Sequence, residues 1–181
     1  MRGRGRVFKP KLKLLRLFLM NVMWRYLWIA VLVFVSDQLT KFAASDYLTR
    51  HGDVPLTSFL NFSLVHNTGA AFGFLSSASG WQNIFFIVVA SVACIAILWM
   101  SWRLKAADLL LGAGLMLVLG GAAGNLTDRL LHGYVIDFVD VHYHAWHWPA
   151  FNDADSAITV GAVLLALDAL GWKSWGKNRV S

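Results

Sequence analysis

Apolar residues run almost unbroken through four stretches of this chain, at roughly 26–48, 82–101, 107–131 and 154–172, and polar residues gather in the intervals between them. A helix needs about 20 predominantly apolar residues to cross the hydrocarbon core of a bilayer, so the pattern predicts an all-α membrane protein with four transmembrane helices. The three prolines, Pro10, Pro55 and Pro149, fall outside all four stretches, where a missing backbone N–H does no harm. In the interval after the first stretch, Leu60, Phe62 and Leu64 alternate with Asn61, Ser63 and Val65 before Gly69 and Gly73 break the chain. Two-residue alternation predicts a short strand and a small β-sheet element on the outer surface, with an irregular loop as the alternative.

Composition supports the same class. Hydrophobic residues fill 57% of the 181 positions and charged residues only 14%, with a mean hydropathy of +0.56. That is too apolar for an ordinary water-soluble domain and leaves room for one membrane domain. The net charge of +6 does not point to nucleic acid, because the cations are bunched at a few places. Eight lie in the first 25 positions, from Arg2 to Arg25; Arg103 and Lys105 sit in the tight turn between the second and third stretches, and Lys173, Lys177 and Arg179 close the chain. Positive residues stay on the cytoplasmic side, which predicts that both termini lie inside and that the segments at about 49–81 and 132–153 face out. Tryptophans favour the two water boundaries, and seven of the nine flank the apolar stretches, while Trp146 and Trp148 lie in the second outer segment.

The chain thus divides into a basic cytoplasmic segment (1–25), a membrane domain (26–172) and a cytoplasmic tail (173–181). Basic residues followed by LLRLFLMNVM resemble a signal peptide, but the next apolar run carries Asp37 and Lys41 and no soluble domain follows it. A juxtamembrane segment held by anionic lipid accounts for it better. Cys94 stands alone in an apolar run, which excludes an intramolecular disulfide and fits an inert buried thiol.

All ten carboxylates are aspartates, and several sit within or at the edge of the apolar stretches. An acid at the centre of a spanning helix is unfavourable by roughly 2.5 to 3.5 kcal/mol, so each marks a functional site by default. Asp37 and Lys41, four residues apart, share a helix face and offset each other's charge; Asp37 lies roughly 16 Å from the inner end at 1.5 Å per residue, and Lys41 is expected to snorkel outward. Either they form a packing ion pair or they support a site. In the third stretch, Gly120, Gly121, Ala122, Ala123 and Gly124 form a flank small enough for close helix approach. Asn125, Asp128 and Arg129 share the face just above it, with Asp128 and Arg129 expected to pair with each other.

Asp137 follows near the outer boundary, and Asp155 opens the fourth stretch behind Asn152 and Asp153, both candidate helix caps. Capping alone would explain Asp155, but not the convergence of Asp137 and the other polar groups at one depth. Two carboxylates held close together do not both ionise readily, so one keeps a proton while the other takes one from water. That is the apparatus of aspartic hydrolysis, and such a pair titrates as a unit.

Other chemistries find less support. With no Glu there is no HExxH zinc site, and no serine sits in a GxSxG string. His142, His144 and His147 suggest a metal only weakly, so no metal or cofactor is expected. Ser36 and Lys41, five residues apart, lie on different helix faces and make a poor dyad.

The strings DQLTK (37–41), NTGAAFG (67–73), GNLTDR (124–129), GYVIDF (133–138) and FNDADSAI (151–158) together resemble the lipoprotein signal peptidase (bacterial signal peptidase II) family over residues 26–172. The resemblance implies a four-helix aspartic endopeptidase of the bacterial inner membrane. It would remove the signal peptide from prolipoproteins, cutting before a cysteine that carries diacylglycerol, with membrane lipids and lipid-modified precursors as partners. It places the catalytic pair at Asp137 and Asp155. Asp37, Lys41, Asn67, Gly69, Asn125, Asp128, Arg129 and Asn152 match family positions around the site, and the outer segment from about 51 to 75 matches a small sheet that cradles substrate. Asp153 departs from the pattern by adding a carboxylate expected beside the pair, and the basic N-terminal segment is longer than the pattern requires. Two other classes use similar residues: a proton- or cation-coupled transporter, with Asp and Lys as a relay, and a non-catalytic assembly protein whose polar groups only pack helices.

Overall fold

The computed structural model of the chain describes residues 23–69, 81–104 and 108–172. The basic residues up to position 22, Gly73, Lys105 and the C-terminal Lys173, Lys177 and Arg179 lie outside the described residues. Helix α1 spans Met23–His51, α2 Trp81–Ser101, α3 Leu109–His132 and α4 Asp153–Ala169. Strands β1 (Val54–Pro55) and β2 (Leu60–Asn67) follow α1, and β3 (Val135–Tyr143) and β4 (Trp146–His147) join α3 to α4.

Three of the helices, α1, α2 and α3, are long and apolar enough to cross a membrane. The fourth is shorter than the run 154–172 that the sequence predicts. It has 17 residues, about 25 Å at 1.5 Å per residue, because the chain turns at Leu170 and Gly171, with Gly171 at positive φ. Its first turn is also committed to protein contacts, since Asn152 and Ala154 are buried. The other boundaries agree with the apolar runs to within three residues.

Helix α3 is the axis of the bundle and packs against α1, α2 and α4. Leu115, Met116 and Leu119 from α3, Ala30 from α1 and Ile97 from α2 form the buried core, while the opposite faces of α1 and α2 leave large apolar side chains exposed. Such a surface suits lipid, not water. The glycine-rich flank lets backbones touch. A β-carbon at Gly121 would stand 2.4 Å from the Ala154 carbonyl oxygen of α4, and one at Gly120 would stand 2.7 Å from that of Ala30 in α1.

The sheet is antiparallel in the order β1-β2-β3-β4. Its principal strand is one that the alternation in 60–65 does not reveal. Residues 135–143 form β3, β-branched and aromatic in large part and started by Gly133, whose φ of 83° ends α3 in a left-handed cap. Strand β2 pairs Phe62 with Val139 and Val65 with Asp137, so the register slips by one residue between them. That bulge breaks the alternation at Ser63 and Leu64 and sets Val65, not Leu64, opposite Asp137.

Candidate active site

Buried polar side chains of α1, α3, β3 and α4 meet in one cluster where the sheet joins the helices. Asp37, Lys41, Asn125, Asp128, Asp137 and Asn152 are all less than a tenth exposed. At its base lies a cation with every hydrogen used. Lys41 Nζ donates to Asp37 Oδ2 at 2.9 Å and Asn125 Oδ1 at 2.8 Å, and pairs with Asp128 Oδ2 at 2.9 Å. Lys41 therefore does not snorkel. It is 2% exposed, because two anions and an amide within reach hold the ammonium better than distant water.

Asp37 and Asp128 each tie that cation to another element. Asp37 Oδ1 accepts the backbone N–H of Ala154 at 3.1 Å, one of the donors left unpaired in the first turn of α4. Asp128 Oδ2 accepts the N–H of Ile136, the residue before Asp137, at 3.1 Å. Gln38 bridges the two, donating to Asp37 Oδ2 at 3.1 Å and Asp128 Oδ1 at 3.0 Å. Gln38 escapes an account built on charges, although an amide inside a spanning run is itself a polar signal. Gly124 makes room for all this, since a β-carbon there would fall 2.3 Å from Asp37 Oδ2.

Asp128 thus pairs with Lys41 and not with Arg129 as the i,i+1 reading expects. Neighbouring residues on a helix point about 100° apart, and Arg129 turns toward α2. Its guanidinium carbon lies 4.9 Å from the Phe86 ring centroid, and Nη1 donates to the Asn125 carbonyl at 3.4 Å. Asp155, Asp137 and Asp128 all lie near enough for their charges to act on it.

Asp137 and Asp155 flank Asn152. Asn152 Nδ2 donates to Asp137 Oδ1 at 2.6 Å, while Asn152 Oδ1 caps α4 by accepting the Asp155 N–H at 3.0 Å. Asp155 returns the contact from Oδ2 to the Asn152 N–H at 3.3 Å, closing a capping box. Capping and convergence on the site therefore coexist at Asp155. Its Oδ1 accepts Asn125 Nδ2 at 2.8 Å, and Asp137 Oδ2 accepts Asn67 Nδ2 at 2.9 Å. Asn67 in turn receives the Gly69 N–H on its oxygen at 2.8 Å. Gly69 has φ +92°, and a β-carbon there would lie 2.3 Å from the Phe86 ring, so only glycine fits.

Both carboxylates are thus held by neutral donors, and among the described residues no cation is bonded to either. Asp137, on β3 beyond the helices, is 1% exposed. Burial pushes its carboxyl up to about 6; the negative charge of Asp155 acts in the same direction, while the hydrogen bonds from Asn67 and Asn152 and the charge of Lys41 oppose it. Such a group is protonated in mildly acidic water and sits beside a second acid, the proton arrangement that general acid–base hydrolysis requires.

Asp153 does not join them. Two positions from Asp155 on a helix, it points to the far side and its Oδ2 accepts Thr40 Oγ1 at 2.9 Å and Ser36 Oγ at 3.4 Å. The histidines of the β3–β4 hairpin are engaged elsewhere. His147 Nδ1 lies 2.8 Å from Asp140 Oδ1, and its ring stacks on His142. Among the described residues, no three His, Cys, Asp or Glu side chains converge to hold a metal ion. An open groove of about 670 Å³ leads along the sheet to Asp137, lined by Asn61, His66, Asn67, Asp140 and Trp148 among others.

Comparison with known proteins places the chain. The family model described as signal peptidase (SPase) II matches residues 29–171. A lipoprotein signal peptidase of Polynucleobacter necessarius is 48% identical over 157 residues, covering 87% of this chain and 95% of that protein. One from Alteromonas mediterranea is 46% identical over 144 residues, covering 80% and 79%. A solved bacterial membrane enzyme superposes with a TM-score of 0.70 at 31% identity, covering 81% of this chain and 92% of that one.

Proposed function

Because this chain belongs to the signal peptidase II family, a family of membrane-bound proteases that process lipoproteins, we propose that it is an aspartic endopeptidase with Asp137 and Asp155 as its catalytic pair. It cuts prolipoproteins before a diacylglyceryl-modified cysteine. The observation that carries this reading is the placement of two carboxylates on either side of Asn152, each hydrogen-bonded, among the described residues, by neutral groups. Neutral donors fix the orientation of a carboxylate while leaving its charge available.

In the proposed reaction a water lies between the two acids. The ionised member takes its proton as the oxygen attacks the scissile carbonyl, and the protonated member donates to the carbonyl oxygen. Collapse of the tetrahedral intermediate then returns a proton to the leaving amine. Asn67 and Asn152 hold Asp137, Asn125 holds Asp155, and Asp37, Lys41 and Asp128 fix the three elements that carry them. The groove along β2 and β4 receives the extended segment of substrate beside the cut.

The topology that fits this chemistry has all four helices crossing the bacterial inner membrane, both termini in the cytoplasm and the site at the outer face. A lipid-anchored substrate then approaches sideways from the bilayer. The test is incubation of purified protein in detergent with a lipidated precursor, followed by mass analysis of the new amino terminus. Asp137→Asn and Asp155→Asn should each abolish cleavage while the protein still inserts; normal processing by either variant would overturn the assignment.

A further inference from the structure

We infer that Lys41 is a positioning residue that acts on Asp155 through Asn125: by holding the amide oxygen of Asn125, it forces the amide NH2 group toward the carboxylate. This rests on the reading of Asp137 and Asp155 as the catalytic pair and goes beyond it, since it assigns the buried cation a task in the reaction and not only in packing.

The geometry leaves the amide one orientation. An ammonium only donates hydrogen bonds and an ionised carboxylate only accepts them. Asn125 lies between one of each, with Oδ1 2.8 Å from Lys41 Nζ and Nδ2 2.8 Å from Asp155 Oδ1. Its oxygen also accepts Asn152 Nδ2 at 3.2 Å, so both lone pairs are occupied. A half-turn of the amide would set N–H against ammonium and C=O against carboxylate, two repulsive contacts in place of two attractive ones. The Asn152 amide cannot fix Asn125 alone. Its own orientation is set by the α4 cap, and its NH2 is shared among Asp137 Oδ1, Asn125 Oδ1 and the Ile136 carbonyl.

The ammonium in turn cannot move, because Asp37 and Asp128 use its other two hydrogens. The chain of contacts therefore runs from Asp37 and Asp128 through Lys41 and Asn125 to Asp155. It pins Asp155 Oδ1 and, among the described residues, leaves Oδ2 with the longer 3.3 Å contact from the Asn152 N–H.

The experiment compares Lys41→Met, Lys41→Gln and the charge-balanced double variant Asp37→Asn/Lys41→Met on a lipidated precursor peptide, with kcat, KM, the pH profile and thermal stability measured for each. Losing a hydrogen bond to a charged group predicts a kcat lower by about 10- to 150-fold in Lys41→Met with KM unchanged. Lys41→Gln, which keeps a donor for the Asn125 oxygen, should be faster than Lys41→Met. The double variant should be more stable than Lys41→Met and equally slow; it also decides the matter should Lys41→Met fail to fold. Recovery of kcat in the double variant, or equal losses in the Gln and Met variants, would show that Lys41 only balances charge and overturn the inference. A normal kcat in Lys41→Met with an inactive Asp155→Asn would overturn this inference alone, whereas an active Asp155→Asn would overturn the catalytic pair itself.

Discussion

Asn152 performs two tasks with opposite ends of one amide, and they can be separated. Asn152→Ser retains a side-chain oxygen able to cap α4, whereas Asn152→Ala does not; neither reaches Asp137, which the native Nδ2 contacts at 2.6 Å. The cap contributes about 1 kcal/mol, so the Ser variant should be the more stable of the two by that amount. The donor to Asp137 contributes more, about 1.5 to 3 kcal/mol when its partner is charged. If that contact is needed in the transition state, both variants lose kcat by about 10- to 150-fold. Thermal unfolding in detergent reads the first quantity and cleavage of a lipidated precursor the second. A Ser variant with near-native kcat would show that Asp137 does not need the Asn152 donor, and equal stability of Ser and Ala would show that the side-chain cap does not stabilise α4.

Three more outcomes follow from the site. The Asp137 carboxyl is raised from 3.8 to about 6, so it holds its proton below that pH and loses it above; kcat/KM, which reports the free enzyme, should fall about tenfold per pH unit beyond roughly 6. The same shift means that the stability linked to this proton is complete below 3.8 and disappears as pH rises through about 6, and Asp137→Asn should flatten the stability profile over that window. Asp153→Asn should leave kcat within about twofold and its pH dependence unaltered, since its oxygen serves Thr40 and Ser36; a displaced profile would place Asp153 with the pair after all.

Residue types and helical spacing make much of the site legible in the sequence. The i,i+4 spacing of Asp37 and Lys41 reports their contact directly, and Asn152 ahead of an apolar run reads as a cap. Partners far apart in sequence were not legible. Asp128 reaches Lys41 because α1 and α3 touch at Gly124, and nothing local to Lys41 indicates that an anion there will outcompete water. Adjacency in sequence suggests Arg129 as the partner of Asp128, but neighbouring positions on a helix point about 100° apart. The separation of Asp153 from Asp155 is already implicit in the sequence, since two helical positions are about 200° of rotation. Strand β3 was hidden for a different reason: its apolar residues read as loop between two spans, and its register with β2 depends on a bulge that no alternation pattern encodes.

The glycines of α3 have no polar side chain and are absent from any account of the chemistry, yet the position of Asp37 depends on one of them to within an atomic radius. Gly121 sets the distance to α4 and Gly124 that to Asp37, so the spacing of the backbones and the aim of the acids are one variable. Mutational tolerance along α3 is therefore set by adjustments that would have to be made simultaneously in three helices. The route by which descendants of this sequence could diversify lies in the sheet and the groove, where side chains can change without moving the scaffold.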